Sequence, residues 1–273
     1  MKQKIIALFL GICLLCTACA GEEKQKIPIE TSEKQEKNKV EGKAPEVTYE
    51  DYSKDLTEEE SGILLLQVKE NFPQVVLEGN AEAEELINRV FEQQHTRNEI
   101  RIESDLDTAE DDFYSLEEEE LAQWSGYSYR YTYETMYHSS KILSMKASQQ
   151  EELGTEQPFW DVVAYTFYVP EGKLLTLSDV FLDERAARTV VEQYIQEKVT
   201  SEEYAGYLLE DYESYISDIL TEDVFYLNEQ GLVVICNANL LTEQEAGVIE
   251  ITVPYDALKG VINEEYVDDT LLY

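Results

Sequence analysis

Tyr127-Ser128-Tyr129-Arg130-Tyr131-Thr132-Tyr133-Glu134 alternates aromatic and polar residues without a break. Successive side chains of a strand point to opposite faces, so this period of two places four tyrosine rings on one face of a β-sheet. Such a row either packs beneath a helix as core or lies open as an adhesive strip, because tyrosine offers a large amphipathic contact area with little rotamer entropy to lose. On the second reading Tyr127, Tyr129, Tyr131 and Tyr133 are candidate partner-binding residues, and their burial decides between the two.

The flanking segments supply the rest of a sheet and the helices to cover it. Upstream, Ile63-Leu64-Leu65-Leu66-Gln67-Val68 reads as a strand, and Val75-Val76-Leu77 follows Phe72-Pro73 as a second short one. Asn80 can then cap a helix in which Leu86, Ile87, Val90 and Phe91 share one face. Downstream, strands are expected over 161–168, 224–227, 232–236 and 248–253, with Glu229-Gln230-Gly231 as a hairpin turn. Ala187, Val190, Val191, Tyr194 and Ile195 keep helical period after Asp183-Glu184-Arg185, and a third helix is expected over 201–220. Strands paired by short turns and interrupted by a few helices predict an α+β fold, antiparallel sheets with two or three helices packed on one face. Two small subdomains, 59–170 and 171–273, are expected within it.

The amino terminus carries an address. Met1-Lys2-Gln3-Lys4 precedes an unbroken apolar run from Ile5 to Leu15, then the small residues Thr17 and Ala18 before Cys19. This is the layout of an export signal, too short for the roughly 20 apolar residues a membrane span needs. Cys16-Thr17-Ala18-Cys19 resembles a bacterial lipobox, which makes 1–18 a lipoprotein signal peptide and Cys19 the lipidated residue; Ala18-Cys19-Ala20 also fits ordinary secretory cleavage. Residues 19–58, rich in Glu, Lys and Gln with Pro28 and Pro45, are expected to be a disordered charged tether, since they offer little apolar surface to offset ordering. The predicted location is extracytoplasmic, on the membrane by a lipid anchor, with secretion as the alternative.

Composition limits the partners. With 21 basic against 58 acidic residues the chain carries a formal charge of −37, which excludes nucleic acid as a partner. The acids and lysines of the proposed tether nearly balance, so the excess belongs to the folded surface, where it either maintains solubility or attracts a basic partner. Cys13 and Cys16 leave with the signal and Cys19 is taken by lipid. Cys236, inside Leu232-Val233-Val234-Ile235, is then left without a disulfide partner and reads as a small core hydrophobe.

Catalytic signatures are sparse. The sequence holds no G-x-S-x-G elbow, P-loop or H-E-x-x-H, and His95 and His138 are its only histidines. His95 is expected on a solvated helix face and His138 at a strand end. Glu117-Glu118-Glu119-Glu120 reads as a solvated acidic face, and Asp105, Asp107, Asp111 and Asp112 lack the glycine and terminal glutamate of a calcium loop. Neither a metal site nor a cofactor is expected.

The stretch Gly172-Lys173-Leu174-Leu175-Thr176-Leu177-Ser178-Asp179-Val180-Phe181, the hairpin from Phe225 to Val234, then Ala246-Gly247-Val248 and Ile251-Thr252-Val253-Pro254-Tyr255 resemble the RsiV-like extracytoplasmic domain, the family of unknown function 3298. Phe72-Pro73-Gln74-Val75 and the helix through Ile87-Asn88 are similar to the family of unknown function 4163, which usually precedes it. Many relatives carry a Gly-Gly-Ala-His-like stretch where this chain has Glu152-Leu153-Gly154-Thr155-Glu156-Gln157-Pro158. The resemblance implies a role in the bacterial envelope, since such domains occur in a lysozyme-binding anti-sigma factor and beside a peptidoglycan deacetylase. The expectation is a lipid-anchored, non-enzymatic binding or sensing protein whose ligand is lysozyme, another basic wall-active protein or a cell-wall polymer. The alternative is an accessory or hydrolase acting on peptidoglycan or another glycan.

Overall fold

The computed structural model describes residues 42–154 and 158–271. The expected signal peptide, Cys19 and the tether as far as residue 41 lie outside the described residues, as do 155–157 of the departing stretch. Among the described residues nine strands form two sheets, β1(Glu46–Thr57), β2(Leu64–Val76), β3(Tyr127–His138), β4(Ile142–Glu152), β5(Phe159–Tyr168) and β6(Lys173–Leu174) in sequence order, then β7(Phe225–Leu227), β8(Gly231–Cys236) and β9(Ile249–Pro254). All neighbours pair antiparallel except β2 and β3, which run parallel because a long helix crosses between them. The helices are α1(Ala81–Ser115), α2(Glu118–Leu121), α3(Leu177–Val180), α4(Glu184–Val199) and α5(Tyr212–Ile219). The α+β expectation holds.

The tyrosine row is core. Tyr127, Tyr129, Tyr131 and Tyr133 are 7, 1, 2 and 5% exposed. They face α1 together with Leu143, Met145, Ala147 and Phe167. Rings of Tyr131, Tyr133, Tyr165 and Phe167 meet one another and Phe91 edge-on or tilted at centroid distances of 5.3–6.1 Å. These four tyrosines are therefore not a partner-binding strip. The period of two was right, but a half-covered sheet buries whichever face carries the large rings.

Helix α1 runs 35 residues, far beyond the one turn-and-a-half that Leu86 to Phe91 announce. Asn80 caps it by accepting from the Ala83 amide at 3.3 Å. Asn88 then pins it to β2, accepting from the Val75 amide at 2.9 Å and donating to the Val75 carbonyl at 2.8 Å. Its buried stripe is apolar at both ends, Ala83, Ile87 and Phe91 and then Ala109 and Phe113, but polar in the middle, at Asn98 and Asp105. Leu86 stays exposed.

β1 corrects the expected tether. Residues 46–57 form a twelve-residue edge strand that pairs with β2 in one register from Glu46 to Leu56 and shifts at Thr57, although most of its side chains are exposed. Backbone pairing holds such a strand without an apolar face. Its charges Glu46, Glu50, Asp51, Lys54 and Asp55 keep the open edge from pairing further.

The second sheet packs on the other face of β4 and β5. Ser144 Oγ accepts from the Leu227 amide, Asn237 exchanges hydrogen bonds with both backbone groups of Val162, and the Ala164 amide donates to the Asp223 carbonyl. Ala187, Val191, Ile195 and Val199 of α4 join this core with Leu232, Val233, Val234, Ile235 and Cys236 of β8. The boundary expected between 170 and 171 thus falls between β5 and β6 of one sheet. Gly231 opens β8 and is not a mid-turn residue: a Cβ there would lie 2.1 Å from the Val253 carbonyl, so only glycine lets β9 approach. The helix expected over 201–220 breaks into a 3-10 turn, Ala205–Tyr207, and α5.

Candidate functional site: an acidic groove beside α1

Where α1 passes over the β1–β2 edge it leaves a groove of about 800 Å³. Leu56, Val68, Phe72, Ile102 and Leu106 supply apolar surface, and Glu50, Asp51, Glu70, Glu92, Glu99 and Glu103 supply carboxylates against a single lysine, Lys54. Strand register sets up one wall, since Glu50 lies opposite Phe72, Tyr52 opposite Glu70 and Lys54 opposite Val68. Helical spacing sets up the other, with 92, 95, 99, 102, 103 and 106 recurring at intervals of three and four.

Behind the groove lies a polar network that explains the polar middle of α1. The buried Glu70 accepts from Asn98 Nδ2 at 2.8 Å, and Asn98 in turn accepts from Gln94 Nε2 at 2.9 Å. Arg101 reaches past the helix to the buried Glu151 of β4 through both Nε and Nη2, and its Nε also lies 3.2 Å from Asp105. One guanidinium therefore serves two buried carboxylates. Burial first, and then the charge of Glu151, push the Asp105 carboxyl up to about 6, with Arg101 opposing. Burial likewise raises the Tyr129 and Tyr133 phenols well above their ordinary range. Both hydroxyls, Asp105 Oδ2, Glu70 Oε2 and His95 Nδ1 are buried with no hydrogen-bond partner among the described residues.

The residues singled out from sequence scatter. His95 lies on the groove, its Nδ1 3.7 Å from Glu70 Oε2 and its ring edge-on to Phe72, so it is less solvated than expected. His138 is exposed at the end of β3. Cys236 is fully buried, and burial pushes its thiol up to about 12, as a core hydrophobe requires. Glu117 to Glu120 are exposed at α2, while Asp105 alone of the four aspartates is buried. No group of three His, Cys, Asp or Glu residues suited to a metal ion occurs among the described residues. Glu70, Asn98, Arg101 and Glu151 were not legible as a site; the one signal is a helix whose apolar period lapses between Phe91 and Ala109.

Solved structures share this architecture. A member of the DUF3298 family from Bacteroides fragilis superposes with a TM-score of 0.60 at 17% identity, covering 81% of this chain and 94% of its own. A DUF3298 family protein from Pseudomonas aeruginosa superposes with a TM-score of 0.53 at 12% identity, covering 81% and 95%. The fold resembles theirs over most of its length. No protein-family model and no curated protein matches the chain.

Proposed function

We propose that the chain is a binding or sensing module of the bacterial envelope, tethered by lipid on Cys19, which takes a basic polypeptide in the groove beside α1. The observation that supports this reading is the groove's composition: six carboxylates and one lysine around an apolar floor. Carboxylates alone attract any cation and lose it to salt, since exposed charges are screened over about 8 Å at physiological ionic strength. An apolar floor adds a contribution of roughly 25 cal/mol per Å² buried that salt does not remove. A cationic protein with exposed apolar side chains fits both, and lysozyme is the first candidate. The role is one of binding and not catalysis.

The test is calorimetric titration of the purified protein with hen lysozyme at low and physiological salt, using cytochrome c as a basic control. Saturable lysozyme binding at physiological salt, absent for the control and weakened about tenfold by Glu92→Lys with Glu103→Lys, is the expected result. Equal, salt-erased binding to both proteins overturns it, as does turnover of peptidoglycan fragments.

A further inference from the structure

Two buried polar atoms without a hydrogen bond, Glu70 Oε2 and His95 Nδ1, face each other on the groove. Glu70 is 7% exposed, and its Oε1 is fixed by Asn98, which Gln94 holds in turn. Its Oε2 has no donor within hydrogen-bond reach among the described residues, and neither has the buried His95 Nδ1, 3.7 Å away. At 3.7 Å neither atom satisfies the other, and in the tautomer with its proton on Nε2 the imidazole presents Nδ1 as a second acceptor beside Glu70 Oε2. Leaving a buried acceptor unmatched is expensive, and more so for a charged one. The charged groups nearby do not resolve this: Glu99, 3.9 Å from His95 Nε2, is a carboxyl group with no proton to spare for a second acceptor, Arg101 is engaged by Glu151 and Asp105, and Lys54, on the opposite wall of the groove, makes no ion pair with Glu70.

We infer that the Glu70–His95 pair is a receptor for one lysine ammonium, supplied by a partner polypeptide lying in the groove. This rests on the groove reading above and names its anchoring contact. The chemistry selects lysine over arginine. A guanidinium gains most from both oxygens of one carboxylate, and Asn98 already occupies one of them in Glu70. An ammonium is compact and carries three donors, enough for Glu70 Oε2, His95 Nδ1 and the Glu99 rim. Its aliphatic stem can lie along Phe72 and Ile102, both lining the groove.

The two histidines make this directly readable. In the full chain labelled with ¹⁵N-histidine, His95 reports the pocket and the exposed His138 serves as internal reference. The probe is the blocked peptide Ser-Val-Lys-Val-Ser, compared with its arginine and norleucine analogues. The expected result is a saturable shift of the His95 ring nitrogens with the lysine peptide and an unmoved His138. Affinity should fall by about tenfold for arginine, the loss of roughly one charge-assisted hydrogen bond. Norleucine should give no shift. Glu70→Gln should abolish the response in a protein that melts no lower than the parent, because its new amide can donate to His95 Nδ1. An unmoved His95 at saturating lysine peptide overturns the inference and assigns the pair to a closed ion pair or a bound water. If lysozyme still binds in that case, the groove reading stands without this anchor; equal response to lysine and norleucine also overturns it.

Discussion

Asp105 shows how a single residue links packing to pH. Its carboxyl titrates near 6 in the folded chain, above the ordinary aspartate value near 3.9, because burial and Glu151 outweigh Arg101. A folded pKa above the unfolded one means that the native state binds the extra proton between those values. Its contribution to stability is therefore fully present below pH 4 and lost as pH rises through about 6. Asp105→Asn should raise the melting temperature at pH 8 by the equivalent of about 1 kcal/mol and leave it nearly unchanged at pH 4. Thermal melts across this range check the sign, and a loss of stability at pH 8 would mean that the Asp105–Arg101 contact outweighs burial. Glu58 behaves oppositely. Hydrogen bonds from Ser61, then Glu60 and Tyr114, hold it down at about 2, so its contribution persists at neutral pH and is lost only as pH falls toward that value. None of this is visible in the local sequence, where Asp105 sits among Glu103, Asp107, Glu110, Asp111 and Asp112 and nothing marks it as the buried one.

At the level of elements, the two long segments that carry the groove are those the sequence concealed. Helix α1 was legible only where its buried stripe is apolar; from Gln94 to Asp105 the stripe is polar because it lies over Glu70, Glu151 and tyrosine hydroxyls. β1 was hidden for a different reason, since an edge strand needs backbone pairing more than an apolar face. Its role is open to direct test. A chain beginning at residue 59 removes β1, bares the edge of β2 and takes away one wall of the groove. It should melt well below the full chain and self-associate on size exclusion, with any lysozyme binding lost. A monomeric, equally stable chain would show that 46–57 serve merely as a leash.

For the molecule as a whole, the charge of −37 and the proposed anchor act together. An acidic body held near the membrane meets soluble cationic proteins faster than neutral ones, an effect that falls with ionic strength. Cys19→Ser should release the protein from membranes into the medium and abolish incorporation of labelled fatty acid, whereas Cys236→Ser should leave both unchanged. Retention of Cys19→Ser on membranes would defeat the anchoring proposal.

The α+β class, β2 in two pieces, β3, β5, β7, β8 and β9, the cap at Asn80, the helical run of α4 and the burial of Cys236 followed from the sequence alone, whereas β1, β4 and β6 did not. Each depends on period, capping chemistry or burial tendency over a few neighbouring residues. The tertiary structure decided which face of the tyrosine strand is covered, that β1 belongs to the sheet, and that Glu70 meets His95 and Arg101 meets Glu151. The physical reason is distance along the chain: Glu70 and His95 lie 25 positions apart, Arg101 and Glu151 50 apart. Their encounter depends on how a 35-residue helix is laid across a six-stranded sheet, which no local pattern encodes.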